Sequence, residues 1–148
     1  MKKPSALIAL LALGFVCRVS AVDAPPTDVV IIDHAQVETT FAKGLPPWMV
    51  NTSYKIQAGR RLVGGKVEIH AHDTDILWVT EGSATFITGG KAIKPTETKP
   101  GEFTADGIEG GVTHKVVKGD LIVVPNGVPH WFKEVEGTFL YFVVKVTK

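Results

Sequence analysis

Gly119-Asp120-Leu121-Ile122-Val123-Val124-Pro125-Asn126-Gly127-Val128-Pro129-His130 is the stretch whose reading decides the fold. Four consecutive aliphatic residues favour a strand, Pro-Asn-Gly favours a tight turn, and the chain returns on a second strand that opens with a histidine. The same grammar repeats on both sides. Residues 54–57, 65–72, 76–80, 84–88, 112–117, 130–134 and 138–146 are short runs rich in Val, Ile, Thr and aromatics. Gly64-Gly65, Glu81-Gly82, Gly89-Gly90 and Gly110-Gly111 punctuate them. About eight strands at this spacing predict an all-β sandwich or barrel, with a jelly roll the leading candidate.

The chain around these strands is 148 residues long, enough for one domain. Its net charge of +1 leaves no electrostatic footprint for nucleic acid or an anionic membrane. A single cysteine excludes a disulfide scaffold and a thiolate zinc site. Residues 1–21 read as a signal peptide: Lys2 and Lys3 open it, 6–17 are apolar, and Val19-Ser20-Ala21 places small residues before a cut. The apolar run is shorter than the ~20 residues that span a bilayer. The expected location is therefore periplasmic or secreted, with no membrane insertion after cleavage. Losing Lys2, Lys3 and Arg18 takes the net charge from +1 to −2. Residues 22–50 form an N-terminal extension, with a short strand expected at 29–32 and a helix at 33–41. Asp33 is its N-cap, and Gly44 lies beyond its end. Residues 51–148 form the β domain. Within it, residues 91–111 are rich in Lys, Pro, Thr, Gly and Glu and read as a long loop, either a lid or an exposed insertion.

Chemistry concentrates in two places. In Glu68-Ile69-His70-Ala71-His72, strand alternation puts Glu68, His70 and His72 on one face. A carboxylate and two imidazoles make a costly apolar interior, so that face is either wet or satisfied by a cation. Imidazole and carboxylate together suit Zn, Mn, Fe, Ni or Cu. His130, at the start of the returning strand, is the second place.

Taken together, these two segments resemble the cupin superfamily. Its first motif runs Gly, five residues, His-x-His, three or four residues, Glu, six residues, Gly. Its second runs Gly, five residues, Pro-x-Gly, two residues, His, three residues, Asn. Gly119, Pro125, Gly127 and His130 match the second motif, with Glu134 in the Asn position; Gly64, His70, His72 and Gly82 match the first. The resemblance covers most of residues 54–146. It implies a double-stranded β-helix (a jelly-roll barrel) with a short N-terminal helix. It also implies one divalent transition metal ion per chain, held by His70, His72 and His130 with a fourth ligand. The carboxylate departs from the pattern, because Ile76 and Leu77 stand at the usual Glu spacing. Asp75 is the preferred fourth ligand, Glu68 competes from one rung back, and water is the third option. Such a set leaves a coordination position open, as catalytic sites do.

Two further groups carry a functional and a bland reading. His114 is either an acid/base or substrate contact in the cavity, or a hydrogen-bonded histidine at the rim. Glu134 is either a general base or partner to the ligands, or an exposed carboxylate at a strand end. An exported chain meets its metal outside the cytoplasm, where the Irving–Williams order favours copper and zinc over iron and manganese unless availability or geometry intervenes; copper, zinc or manganese is expected ahead of iron. The reading is a metal-dependent oxidoreductase, oxygenase- or oxidase-like, acting on a small organic, aromatic or carbohydrate substrate. The alternatives are a non-catalytic module for a small ligand or metal, or a metal-dependent isomerase or lyase. Residues 139–144 look too apolar for a free sheet edge, which predicts a homodimer.

Overall fold

A computed structural model describes residues 28–44 and 47–148. The expected signal peptide and the Pro-rich 22–27 lie outside the described residues. The helix α1 (His34–Lys43) forms where its caps predict. The Asp33 carboxylate accepts from the Gln36 N–H, the Gln36 side chain accepts from the Asp33 N–H, and Gly44 ends the helix in the left-handed region. Residues 29–32 form no strand.

The strands are β1 (Met49–Val50), β2 (Tyr54–Arg61), β3 (Val67–His70), β4 (Asp73–Thr88), β5 (Lys91–Ala92) and β6 (Thr96–Lys99). They continue with β7 (Glu102–Ala105), β8 (Ile108–Glu109), β9 (Val112–Val117), β10 (Leu121–Val124) and β11 (His130–Thr147). Two of them are longer than the sequence suggests. The runs at 76–80 and 84–88 join into the 16-residue β4, and those at 130–134 and 138–146 join into the 18-residue β11. Gly82 does not stop β4. It takes φ +76° at a point where a Cβ would lie 2.2 Å from the Thr138 carbonyl oxygen, so only glycine lets the two long strands bend together there.

β4 and β11 form an antiparallel ribbon from Thr88↔His130 to Asp73↔Thr147, with bulges beyond Phe132, Glu136 and Leu140. The far edge of β4 pairs with β9 and then β10, and the far edge of β11 pairs with β2 and, at His130, with β3. The ribbon bends over on itself and closes a jelly roll. Phe86, Ala84, Val116 and Phe132 from one half pack against Leu77, Val79, Val124, Phe139, Tyr141 and Val143 from the other. Phe132 is the hub, with its ring 4.5 Å from Phe86, 5.2 Å from Phe139 and 5.3 Å from Tyr141. The 139–144 run is not an edge. β2 and β4 flank it, Phe139, Tyr141 and Val143 point inward, and Phe142 lies under Phe41 of α1 and Trp48. Its apolarity is satisfied within the chain.

The expected long loop at 91–111 is corrected to strands. β5 pairs with β8, and β6 pairs with β7, which in turn pairs with β3. All four residues of β6, Thr96–Lys99, are exposed, so no hydrophobic alternation marked it.

Candidate metal centre

His70 ends β3, His130 opens β11, and the register His130↔Glu68 brings those two strands side by side. The two imidazole centroids lie 5.2 Å apart, and one ligand atom from each of Glu68, His70 and His130 lies within 4.8 Å of the others. Asp75 reaches the same point from β4 in the other half of the ribbon. Its Oδ2 is 3.5 Å from His70 Nε2 and 3.8 Å from His130 Nε2. His70, His130 and Asp75 are all buried.

Both rings are turned by outer partners. His70 Nδ1 meets the Glu102 carboxylate at 2.6 Å, through the register His70↔Glu102, and His130 Nδ1 meets the Val128 carbonyl at 3.1 Å. Each partner is an acceptor, which assigns the proton to Nδ1 and leaves Nε2 facing inward with its lone pair. Burial pushes His130 below its ordinary pKa, against the pull of the Val128 carbonyl, Asp75 and Glu68, and so favours the neutral, ligating form. Burial opposes the charge on Glu68. The Arg61 guanidinium, with His130 and His70, outweighs it and holds the carboxyl below the ordinary range. Arg61 donates to Glu68 at 2.8 Å and to the Tyr141 hydroxyl at 3.2 Å, and it lies over the Phe132 ring.

A cation already sits among these donors. The Lys145 ammonium donates to both Asp75 carboxylate oxygens and to His70 Nε2, each at 2.8 Å. Inward-facing imidazole nitrogens, two carboxylates and an ammonium held between them show a pocket whose chemistry accepts positive charge. The donor set therefore fits a divalent ion.

Not every residue expected at the centre is there. The expectation that His72 shares the face of His70 is corrected: β3 stops at His70, and the chain turns at Ala71 and His72, leaving His72 exposed. Ala71 is fixed in that turn by the Gly101 carbonyl and the Asn126 side chain. Of the two readings of Glu134, the structure has the exposed strand carboxylate and not a cavity-facing group. Lys133 is an extra residue between the pairs Phe132↔Phe86 and Glu134↔Thr85, so the bulge turns Glu134 off the inner face that Phe132 keeps. Gly64 makes room for this bulge, since a Cβ there would lie 1.9 Å from the Lys133 carbonyl oxygen. His114 is exposed, with Nε2 3.1 Å from the Thr88 hydroxyl. It borders a cleft of about 480 Å³ whose walls include Phe86, Thr88, Ile122, Val124 and Val128. Phe86 lines this cleft, and its ring lies 6.1 Å from that of His130.

Three groups at the centre are ones the sequence reading passed over: Lys145, Glu102 and Arg61. Lys145 had a signal, because period-2 alternation from Phe139 through Tyr141 and Val143 lands it on the inner face. Glu102 had none, lying in the polar stretch read as a loop.

The family model for Cupin matches residues 21–148. A search of curated proteins found no match. Among solved structures, a protein of Bacillus halodurans is 16% identical with a TM-score of 0.57, covering 86% of each chain. A double-stranded β-helix protein of Klebsiella pneumoniae is 14% identical with a TM-score of 0.48, over 68% of this chain and 73% of that one. A DMSP lyase of Ruegeria pomeroyi is 17% identical with a TM-score of 0.46, over 66% of this chain but only 40% of the lyase. The likeness to the Bacillus halodurans protein, at 16% identity, shows a shared fold and nothing about reaction.

Proposed function

Given that the chain belongs to the cupin family, we propose that it is an exported, mononuclear-metal enzyme, an oxidoreductase of oxygenase or oxidase type acting on a small organic, aromatic or carbohydrate molecule. The observation that carries this reading is the convergence of His70, His130 and Glu68, with Asp75 beside them, on one buried point. These residues would hold the ion, with copper, zinc or manganese favoured over iron. When bound, the ion would supply a Lewis-acidic centre with a position open to substrate.

The chain's own residues do the rest. Glu102 and the Val128 carbonyl fix the two imidazoles, and Arg61 fixes Glu68. Phe86, Ile122, Val124 and Val128 give the cleft an apolar wall, which suits a substrate with an apolar body. His114, tied to Thr88 at the cleft margin, is placed to exchange a proton with a polar group of that substrate.

One observation favours a second reading, a redox-silent ligand- or metal-binding module. The Lys145 ammonium satisfies Asp75 and His70 without any ion. Metal removal separates the two readings. A chelator is expected to abolish turnover of dioxygen or peroxide with an aromatic or organic-acid substrate, and added metal to restore it. Ligand binding that survives chelation, with no turnover under either condition, would leave the binding module.

The proposal extends to pairs of chains. On the outer sheet face, the register neighbours Leu121↔Trp78 and Val123↔Ile76 form a patch in which Leu121, Trp78 and Val123 are each more than half exposed. This patch would seat a second copy. Light scattering coupled to sizing chromatography is expected to give twice the chain mass; a single-chain mass would end that part of the proposal.

A further inference from the structure

We propose that Lys145 is a built-in competitor of the metal: its ammonium holds the cation place on His70 and Asp75, and a divalent ion enters by displacing it. The inference rests on the metal reading above and concerns what sets the strength and selectivity of that site. An ammonium has three protons, and here three acceptors take them: His70 Nε2, Asp75 Oδ1 and Asp75 Oδ2. A neutral imidazole has one inward lone pair. His70 Nδ1 is committed to Glu102, so the lone pair that Lys145 occupies is the one a metal would need. An ion bound at His70 and an ammonium bonded to His70 therefore exclude each other.

Charge points the same way. Glu68, Asp75 and Glu102 stand against Arg61 and Lys145, so the centre carries one negative charge in excess when the imidazoles are neutral. A divalent ion arriving with Lys145 still in place would face an ammonium within a few ångströms in a pocket with little water to screen it. The ammonium has somewhere to go. Asp73, two residues along β4 on the same face, is a carboxylate already held by Lys55 and Thr147, and it feels the charge of Lys145.

Two consequences follow. The wild-type site binds divalent ions more weakly than its donor set alone would allow. It also favours ions that bind imidazole strongly enough to repay the displacement, Cu²⁺ and Zn²⁺ ahead of Mn²⁺.

Titration of the purified, chelator-treated full chain with Zn²⁺ alone, read by calorimetry, tests this. Lys145→Met is expected to tighten Zn²⁺ binding by about tenfold or more relative to wild type, because it removes a competing hydrogen bond and a like charge together. Lys145→Arg keeps the cation and is expected to stay weak. His130→Ala placed in the Lys145→Met background is expected to remove the gain, which ties it to this centre and not to surface histidines. Lys145→Gln keeps a donor to Asp75 and carries no charge. It serves if Lys145→Met fails to fold, and it too is expected to bind more tightly than wild type. Equal affinity in wild type and the Lys145 variants, with His130→Ala still abolishing binding, would overturn the competitor while the metal site stands. No Zn²⁺ binding sensitive to His130→Ala in any background would overturn both.

Discussion

In metal-free protein, Asp75→Ala is expected to cost about 3–5 kcal/mol of stability, and Lys145→Met in the same chain to recover most of it. Asp75 is 3% exposed, and both its carboxylate oxygens are taken by one ammonium that is itself only 12% exposed. Removing the carboxylate leaves the Lys145 charge beside a neutral imidazole, in the apolar company of Val143 and Tyr141 on the same face of β11. Desolvation of the stranded ammonium dominates this loss; the attraction between the pair is largely offset by the cost of drying both groups. The double variant replaces the pair with apolar atoms and is expected to lie within about 1–2 kcal/mol of wild type, since the losses are a modest void and three hydrogen bonds whose donor and most of whose acceptors leave together. Urea unfolding in the presence of chelator measures all three proteins. A loss below 1 kcal/mol for Asp75→Ala would mean that water reaches Lys145, and that the centre is wetter than its burial indicates.

The fold was legible because strand composition and turn chemistry are both written plainly in this chain. Residues 84–88 and 139–146 are rich in aromatic, β-branched and aliphatic residues, and Pro125-Asn126-Gly127 makes a turn where turn chemistry predicts one. What failed was local. Gly82 looks like a strand end, but inside a ribbon that must bend it is the residue that permits continuation, so two predicted pairs of strands became β4 and β11. Alternation counts residues, and it miscounts wherever one is inserted or turned out. The extra Lys133 moved Glu134 to solvent, and the turn at Ala71 did the same to His72. His70 and His130 escaped this because each lies on the strand side of its irregularity. Residues 96–105 misled for the opposite reason. β6 is fully exposed and β7 half-covered, so neither needs apolar residues, yet β7 brings Glu102 to His70. The ambiguity over the carboxylate ligand was real in the sequence and has a physical counterpart in the structure: Glu68 and Asp75 both face the imidazoles, each already paired with a cation, Arg61 or Lys145.

His130→Ala is expected to weaken Zn²⁺ binding more than 100-fold, beyond the ~10–100-fold that losing an outer partner of a ligand costs. The comparison that gives this figure meaning is Glu102→Ala, for which about 10–100-fold is expected. Glu102 touches only the Nδ1 side of His70 and is one-third exposed, so its removal frees the ring to rotate and lowers its basicity without emptying the core. His130 offers its Nε2 directly, is 4% exposed, and has no protein group to replace it. Glu68→Gln and Asp75→Asn, titrated alongside, rank the two carboxylates. Glu68→Gln is expected to cost more if the oxygen ligand comes from the side of the imidazole pair that groups within 4.8 Å, because Asp75 must first give up Lys145. Equal and small losses for His130→Ala and Glu102→Ala would mean that the ion binds elsewhere, with the exposed His72 and His114 the first places to look. A large loss for His130→Ala with native near-ultraviolet dichroism excludes that outcome. It would make the imidazole pair, and not the surface histidines, the group that holds the ion.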